Sequence, residues 1–224
     1  MTSFWALLRS VNYALMIPPM GIKQHAVIWW TLLLLGLPTL AVPRPISYVG
    51  GHTLMAESGA MFQRMYWHYT PGRRYSLGFS MRHNRMHDET DAMARVAYLV
   101  NRRNTRNTQR NLYLKSGVAL DNSDNHFISI AGDWESRRLF GSAAWTRVSD
   151  GHARYNDLSV QLGVAPYLGE YGDLHTWLML KSKRDYRLDR RVTYPVVRLF
   201  KNSAFVEVGY HQDARLDIHL MYRF

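Results

Sequence analysis

Cysteine is absent from the 224 residues, which rules out disulfides, thiolate metal sites and thiol nucleophiles. After Ala41 no run approaches 18 apolar residues, so no helix there can cross a bilayer. Helical stripes of comparable length are missing from the same region. Acids are scarce: 17 Asp and Glu stand against 28 Lys and Arg, a net of +11. One domain is the default for this length.

One apolar run does occur, residues 26–37 (AVIWWTLLLLGL), but it is shorter than the ~20 residues of a spanning helix. Lys23 and His25 precede it, and Pro38, Thr39, Leu40 and Ala41 follow. A basic flank, an apolar core, a breaker and small residues describe a secretory signal peptide cut after Ala41. Met20 begins that pattern, which leaves residues 1–19 as an upstream extension or a long basic region. A buried soluble helix is the other reading. Residues 1–41 are therefore set apart from the folded body, residues 42–224. They hold Arg9 and Lys23 and no acid, so the body keeps 26 basic against 17 acidic residues, a net of +9. An exported chain of that charge suits lipopolysaccharide phosphates or small anionic solutes, and export argues against nucleic acid.

What the body does contain is alternation. Leu216, Ile218, Leu220, Tyr222 and Phe224 interleave with Arg215, Asp217, His219, Met221 and Arg223. That is the period of a strand with one oily and one polar face. It repeats at Tyr75–Met81, Leu112–Leu120, Leu158–Val164 and Ala204–Tyr210. Counting back from Phe224 places strands at 214–224, 203–210, 192–200, 173–183, 155–165, 138–147, 126–134, 110–120, 91–101, 74–83, 61–69 and 46–57. Such lengths suit tilted membrane-crossing strands. The expected fold is an all-β, antiparallel up-and-down transmembrane barrel of about twelve strands. Ten remain if 46–57 is not a strand and two others merge, and a soluble two-sheet sandwich is the alternative. Short turns at 70–73 and 201–202 would face the periplasm, with longer outer loops at 84–89, 149–154 and 185–191. Residues 102–109 break the rule, being long where a short turn is expected. Tyr69, Tyr75, Tyr155, Tyr167, Tyr210 and Tyr222 fall near strand ends, as an interfacial girdle would.

On this register the inner face collects Arg64, His68, Arg74, Arg82, Arg95, Lys115, Arg147, His175, Lys181, Arg198, Arg215, His219 and Arg223. Opposite them stand Asp133, Asp157, Asp173, Glu207 and Asp217. Arg74, Arg82, Arg95, Lys115 and Arg198 are the expected lining of a cationic lumen that would favour anions. The alternative is that these charges pair across the interior and fill it. His83 and His87 are the candidates for copper or zinc, and His211 and His219 share the last hairpin. None has the spacing of a closed site, so no cofactor is expected. Ser76, Ser80, Ser142, His83, His175 and Asp173 could supply parts of a hydrolytic set, but nothing in the sequence joins them. The Ser/His/Asn pattern of outer-membrane phospholipases and the terminal His–x–Ser of lipid A deacylases are not found. Residues 163–179 (GVAPYLGEYGDLHTWLM) read as a hairpin around a Pro and Gly turn.

The terminal run Ile218, Leu220, Tyr222 and Phe224 resembles the closing strand of bacterial outer-membrane barrels, which the assembly machinery reads. GGHTLMAES (50–58), YTPGRRYSLGF (69–79), NLYLKSGV (111–118) and the 163–179 hairpin together resemble a small proteobacterial outer-membrane barrel family associated with heavy-metal resistance clusters. That resemblance implies a barrel and a metal-stress setting, and it brings no site residues. The overall plan is similar to small twelve-stranded anion-selective porins. The implied function is a small pore in the outer membrane, with outer-membrane lipids, lipopolysaccharide and the barrel-assembly machinery as partners. A non-conducting structural or metal-stress barrel is second, and a lipid-modifying enzyme third.

Overall fold

The computed structural model describes residues 45–170, 172–185, 189–213 and 215–224. The expected leader, 1–41, lies outside these residues. The described chain forms twelve strands: β1 (His52–Ser58), β2 (Phe62–Gly72), β3 (Tyr75–Asn84), β4 (Glu89–Asn104), β5 (Thr108–Ala119), β6 (Asn125–Ser136), β7 (Leu139–Asp150), β8 (Arg154–Val164), β9 (His175–Asp185), β10 (Arg190–Lys201), β11 (Ala204–His211) and β12 (Arg215–Arg223). Each pairs antiparallel with its neighbours in sequence, and β1 pairs with β12, so the sheet closes into a barrel. Closure removes the edges that a two-sheet sandwich would keep. The seam runs from Thr53↔Arg223 to Ser58↔Ile218. It is extended by His52 N–H donating to the Phe224 carbonyl at 2.8 Å and Phe224 N–H donating back at 3.1 Å.

Every strand presents exposed apolar side chains outward: Leu54, Trp67, Phe79, Val96, Leu114, Ile130, Trp145, Val160, Leu178, Val197, Val208 and Leu220 trace the full circumference. Their partners one residue away point inward; many are small or polar, such as Thr53, His68, Ser80, Ser129, Gln161 and Glu207, while Met55, Trp177, Met179 and Met221 add apolar bulk, all buried. A continuous apolar girdle of this kind has no place in water, where large exposed patches mark membrane or partner contact. It is the lipid-facing wall of a transmembrane barrel.

Three details differ from expectation. First, β1 starts at His52 rather than 46, because Gly50 takes φ +81° and Gly51 N–H turns back to the Tyr48 carbonyl at 3.0 Å. The segment before it instead lies in the barrel mouth. Ile46 is buried against inward-facing Leu99 and Tyr113, and Ser76 Oγ donates to the Pro45 carbonyl at 2.8 Å. Second, residues 102–109 are not a long loop. A bulge between Leu99 and Asn101 keeps the ladder running to Asn104↔Gln109, and Thr105 N–H donates to the Thr108 carbonyl at 2.8 Å to close a tight turn. Third, the connections at the end remote from the termini (59–61, 85–88, 120–124, 151–153, 186–189 and 212–214) are all short. The longest connection, 165–174, lies at the end that carries His52 and Arg223.

Outer-wall depth controls the cost of charge. Ile130, 50 % exposed at the middle of β6, faces the centre of the girdle, whereas Leu139 opens β7 at one rim. I130R is expected to destabilise the barrel by about 2–4 kcal/mol and L139R by about 0–1 kcal/mol. Denaturant unfolding from lipid vesicles measures both, and equal losses would mean that Ile130 does not face hydrocarbon.

Candidate functional site: the charged interior

Strand alternation sends one side chain in two to the inside, and there the long polar residues meet across several strands. Towards the end remote from the termini, Arg64 Nη1 bonds Glu57 at 3.2 Å, and the Tyr66 hydroxyl donates to the same carboxylate at 3.0 Å. Arg82 donates to Asp91 at 2.8 Å and to Asn125 at 2.9 Å. Lys181 and Lys183 both reach Asp217 at 2.9 Å, which also accepts from the Tyr194 hydroxyl at 2.7 Å. Towards the other end, Arg102 donates to Asn111 at 2.7 Å and Asn111 to Asp133 at 2.6 Å. These bonds answer the cost of burying charge away from water.

Glu207 is the hub. Only 3 % exposed, it accepts from Arg198 Nε at 3.0 Å and from Lys181 at 3.2 Å. Arg198 lies over Phe140 at 4.3 Å and Phe205 at 5.3 Å, which adds cation–π attraction and walls off water. Two cavities meet this level from opposite sides. One of about 830 Å³ includes Ile46, Arg102, Trp177, Arg198, Phe205 and Arg223 in its lining. The other, about 440 Å³, includes Glu57, Arg64, Lys181, Tyr194, Asp217 and His219. The linings share no residue: Arg198 borders the first and Lys181 the second, and the Arg198–Glu207–Lys181 contact between these two residues is termed the septum.

Arg95 and Lys115 differ from the other interior cations. Among the described residues neither has a carboxylate in ion-pair contact. The Arg95 guanidinium is instead sandwiched by Tyr66 at 4.5 Å and Phe127 at 5.0 Å. Gly117 makes that possible: a Cβ there would sit 2.5 Å from Phe127 Cε1, so only glycine lets the ring lie flat. The interior therefore carries positive charge in excess of its contacting acids.

Of the expected lining residues, Arg82, Arg95, Lys115 and Arg198 point inside. Arg74 does not: it sits exposed in the two-residue turn between β2 and β3, where chain reversal ends the alternation. Arg147 is also misplaced by the sequence register. It points outward and is exposed, because Ser142, Ala143 and Ala144 are small on both faces of β7 and blur the alternation. Asp173 belongs to the 165–174 connection, where it accepts from Glu170 N–H at 2.8 Å. Arg215 opens β12 with φ +53° and is exposed. Sequence reasoning missed Glu57, Asp91, Lys183, Tyr194 and the Phe140–Phe205 clamp. Glu57 and Asp91 share the inward parity of Met55 and Met93, a signal that strand alternation already held. At the far rim, Arg190 bonds Asp213, and that hydrogen bond holds the Asp213 carboxyl below its usual range.

Ser76 Oγ lies 3.2 Å from His68 Nδ1, but both are buried and the hydroxyl is spent on Pro45. His175 lies beside Phe200 at 6.1 Å. His83 contacts Thr90 at 3.1 Å, and His87 stacks on His152 at 4.3 Å. Among the described residues no group of three His, Asp or Glu is placed to hold a metal ion.

A closed twelve-stranded meander with an oily outside and a charged inside defines the class of membrane β-barrels. No protein-family model and no curated protein matches the chain. Among solved structures it is similar to one described as "KdgM porin", with TM-score 0.50 and 12 % identity over 78 % of this chain and 99 % of that one. A second likeness is to a structure titled "Unveiling the Mechanism Behind the in-meso Crystallization of Membrane Proteins", with TM-score 0.47 and 10 % identity over 79 % and 83 %. The first shares the barrel fold at an identity too low to carry residues across.

The septum makes a direct prediction. E207Q strands Arg198 and is expected to cost about 3–5 kcal/mol in unfolding free energy. The double variant R198Q/E207Q is expected to cost less than the sum of the two single changes. Additive losses in unfolding from detergent micelles would show that the pair is not coupled.

Proposed function

We propose that this chain is a porin-type outer-membrane protein that passes small anionic solutes. The observation that carries the reading is the pairing of a lipid-facing apolar girdle with an interior whose cations outnumber their contacting acids. The word porin in the description of the fold neighbour supports it. Both termini face the periplasm in this reading, and Phe224, Tyr222, Leu220 and Ile218 form the outward row read by the assembly machinery. Phe224 is exposed and stacks on Tyr222 at 6.0 Å, so the row ends in an aromatic step on the lipid face. Arg95 and Lys115 are the selective charges, since fixed charge on a narrow wall sets ion preference. The Arg198–Glu207–Lys181 level is the narrowest passage.

The same septum favours a second reading, a barrel that does not conduct and serves the envelope structurally. One experiment separates the two. In planar bilayers under a potassium chloride gradient, the pore reading expects steady conductance with a reversal potential on the anion side. R95Q/K115Q is expected to move that potential towards cation preference. Purified, heat-modifiable protein that leaves the bilayer silent would favour the structural reading.

A further inference from the structure

The outer wall carries one polar feature that transport does not use. Arg147 and Arg154 point outward near the rim remote from the termini, both exposed. Cross-strand pairing brings them together: Ile128 faces Arg147 and His126 faces Ser149 between β6 and β7, while Ser149 faces Arg154 between β7 and β8. His126, Ile128, Arg147, Val148, Ser149 and Arg154 line a groove of about 220 Å³. Three other cations at the same end differ. Arg82 bonds Asp91, Arg184 bonds Asp189 and Arg190 bonds Asp213. Among the described residues, neither Arg147 nor Arg154 has an acidic partner. His126, which borders the groove, is held in place by its Nδ1 at 2.9 Å from the Ser123 carbonyl.

Height on the wall identifies the setting. Arg154 opens β8 at the rim, and Arg147 lies one outward step above Trp145, which pairs with Ile130 at mid-wall. Ile128, level with Arg147, and Ile130, level with Trp145, are exposed apolar side chains. The groove thus joins two guanidinium groups near the rim to an oily track leading towards the centre of the wall.

We infer that this groove is a binding site for a lipid whose headgroup bears a phosphomonoester, with its acyl chains along Ile128 and Ile130. Two arginines match a group of charge near −2 better than the single charge of a phosphodiester. Arg147 and Arg154 would hold the phosphate oxygens by paired N–H donors, beside Ser149, which faces Arg154 and borders the groove. A phosphorylated glycolipid of the outer leaflet has this chemistry. The inference rests on the membrane placement proposed above but not on conduction.

The test uses the purified barrel in neutral detergent, titrated with diphosphoryl lipid A, its dephosphorylated form and phosphatidylglycerol, with bound lipid counted by native mass spectrometry. Wild type is expected to hold the diphosphoryl form about tenfold more tightly than either other lipid, as loss of charge-assisted bonds implies. R147Q/R154Q is expected to lose that preference, whereas R110Q/R138Q, which removes equal charge at the opposite end, keeps it. Millimolar inorganic phosphate is expected not to displace the lipid, because it lacks the apolar contact. Equal binding of all three lipids by wild type overturns the inference, as do retained preference in R147Q/R154Q and full displacement by inorganic phosphate. Should the double variant lose its heat-modifiable fold, R154Q alone at the strand's end carries the same reading. A barrel that retains no lipid or detergent at all would instead defeat the membrane placement.

Discussion

The ring of backbone hydrogen bonds is the constraint on which the rest of this structure depends. In hydrocarbon an unpaired N–H or C=O costs several kcal/mol, so a sheet can cross only if it has no edge. Pairing of β1 with β12 meets that condition and draws Phe224 into the seam through His52. Two strand residues cannot donate within the wall, and both are placed where little is asked of them. Pro71 sits in the irregular stretch between Tyr69 and Gly72 at the end of β2, and Pro195 lies just past Val196↔Gly209, where the β10–β11 ladder ends.

Closure then dictates the inside. Twelve strands turn every second side chain towards one narrow axis, and long charged residues from strands far apart in sequence must share it. Lys181 and Asp217, 36 residues apart, meet at 2.9 Å, and Arg198 meets Gln161 at 3.5 Å across 37 residues. Each contact offsets desolvation that the fold itself imposes. The surplus cations Arg95 and Lys115 are handled differently, Arg95 by two aromatic faces and the room that Gly117 leaves. Interior charge is therefore partly neutralised by acids and partly screened by rings, an arrangement that leaves Arg95 and Lys115 without a contacting carboxylate among the described residues.

The two rims are also unequal. At the end bearing the termini, residues 45–48 strap the mouth, with Ile46 sealed against Leu99 and Tyr113. The opposite end has short turns tied by ion pairs, and its outer wall carries the free arginines of β7 and β8. A wall charge facing lipid is cheapest at the interface, which is where Arg147 and Arg154 sit. The same physics that drives charge inward at the middle of the wall permits it outward at the rim.

Strand number and the facing of most side chains were written in the sequence, because alternation is a local property with a period of two. All twelve expected segments correspond to strands, and Arg82, Arg95, Lys115 and Arg198 point inward as their parity requires. Local reasoning failed where parity itself is interrupted or muted: at the turn holding Arg74, at the bulge beside Val100, and through the Ser142–Ala144 stretch that turned Arg147 to the wrong face. The partners of each charge were beyond reach for another reason. Which carboxylates meet Lys181 depends on how β9 is staggered against β11 and β12, and no window of sequence contains that stagger; Arg198 and Glu207, by contrast, face each other across one hairpin. The residues alone determined that a two-faced sheet would form, while the contacts of Glu207 with Lys181 and the groove at Arg147 follow from the register in which three successive strands pair, because side chains on different strands meet only where that register sets them level.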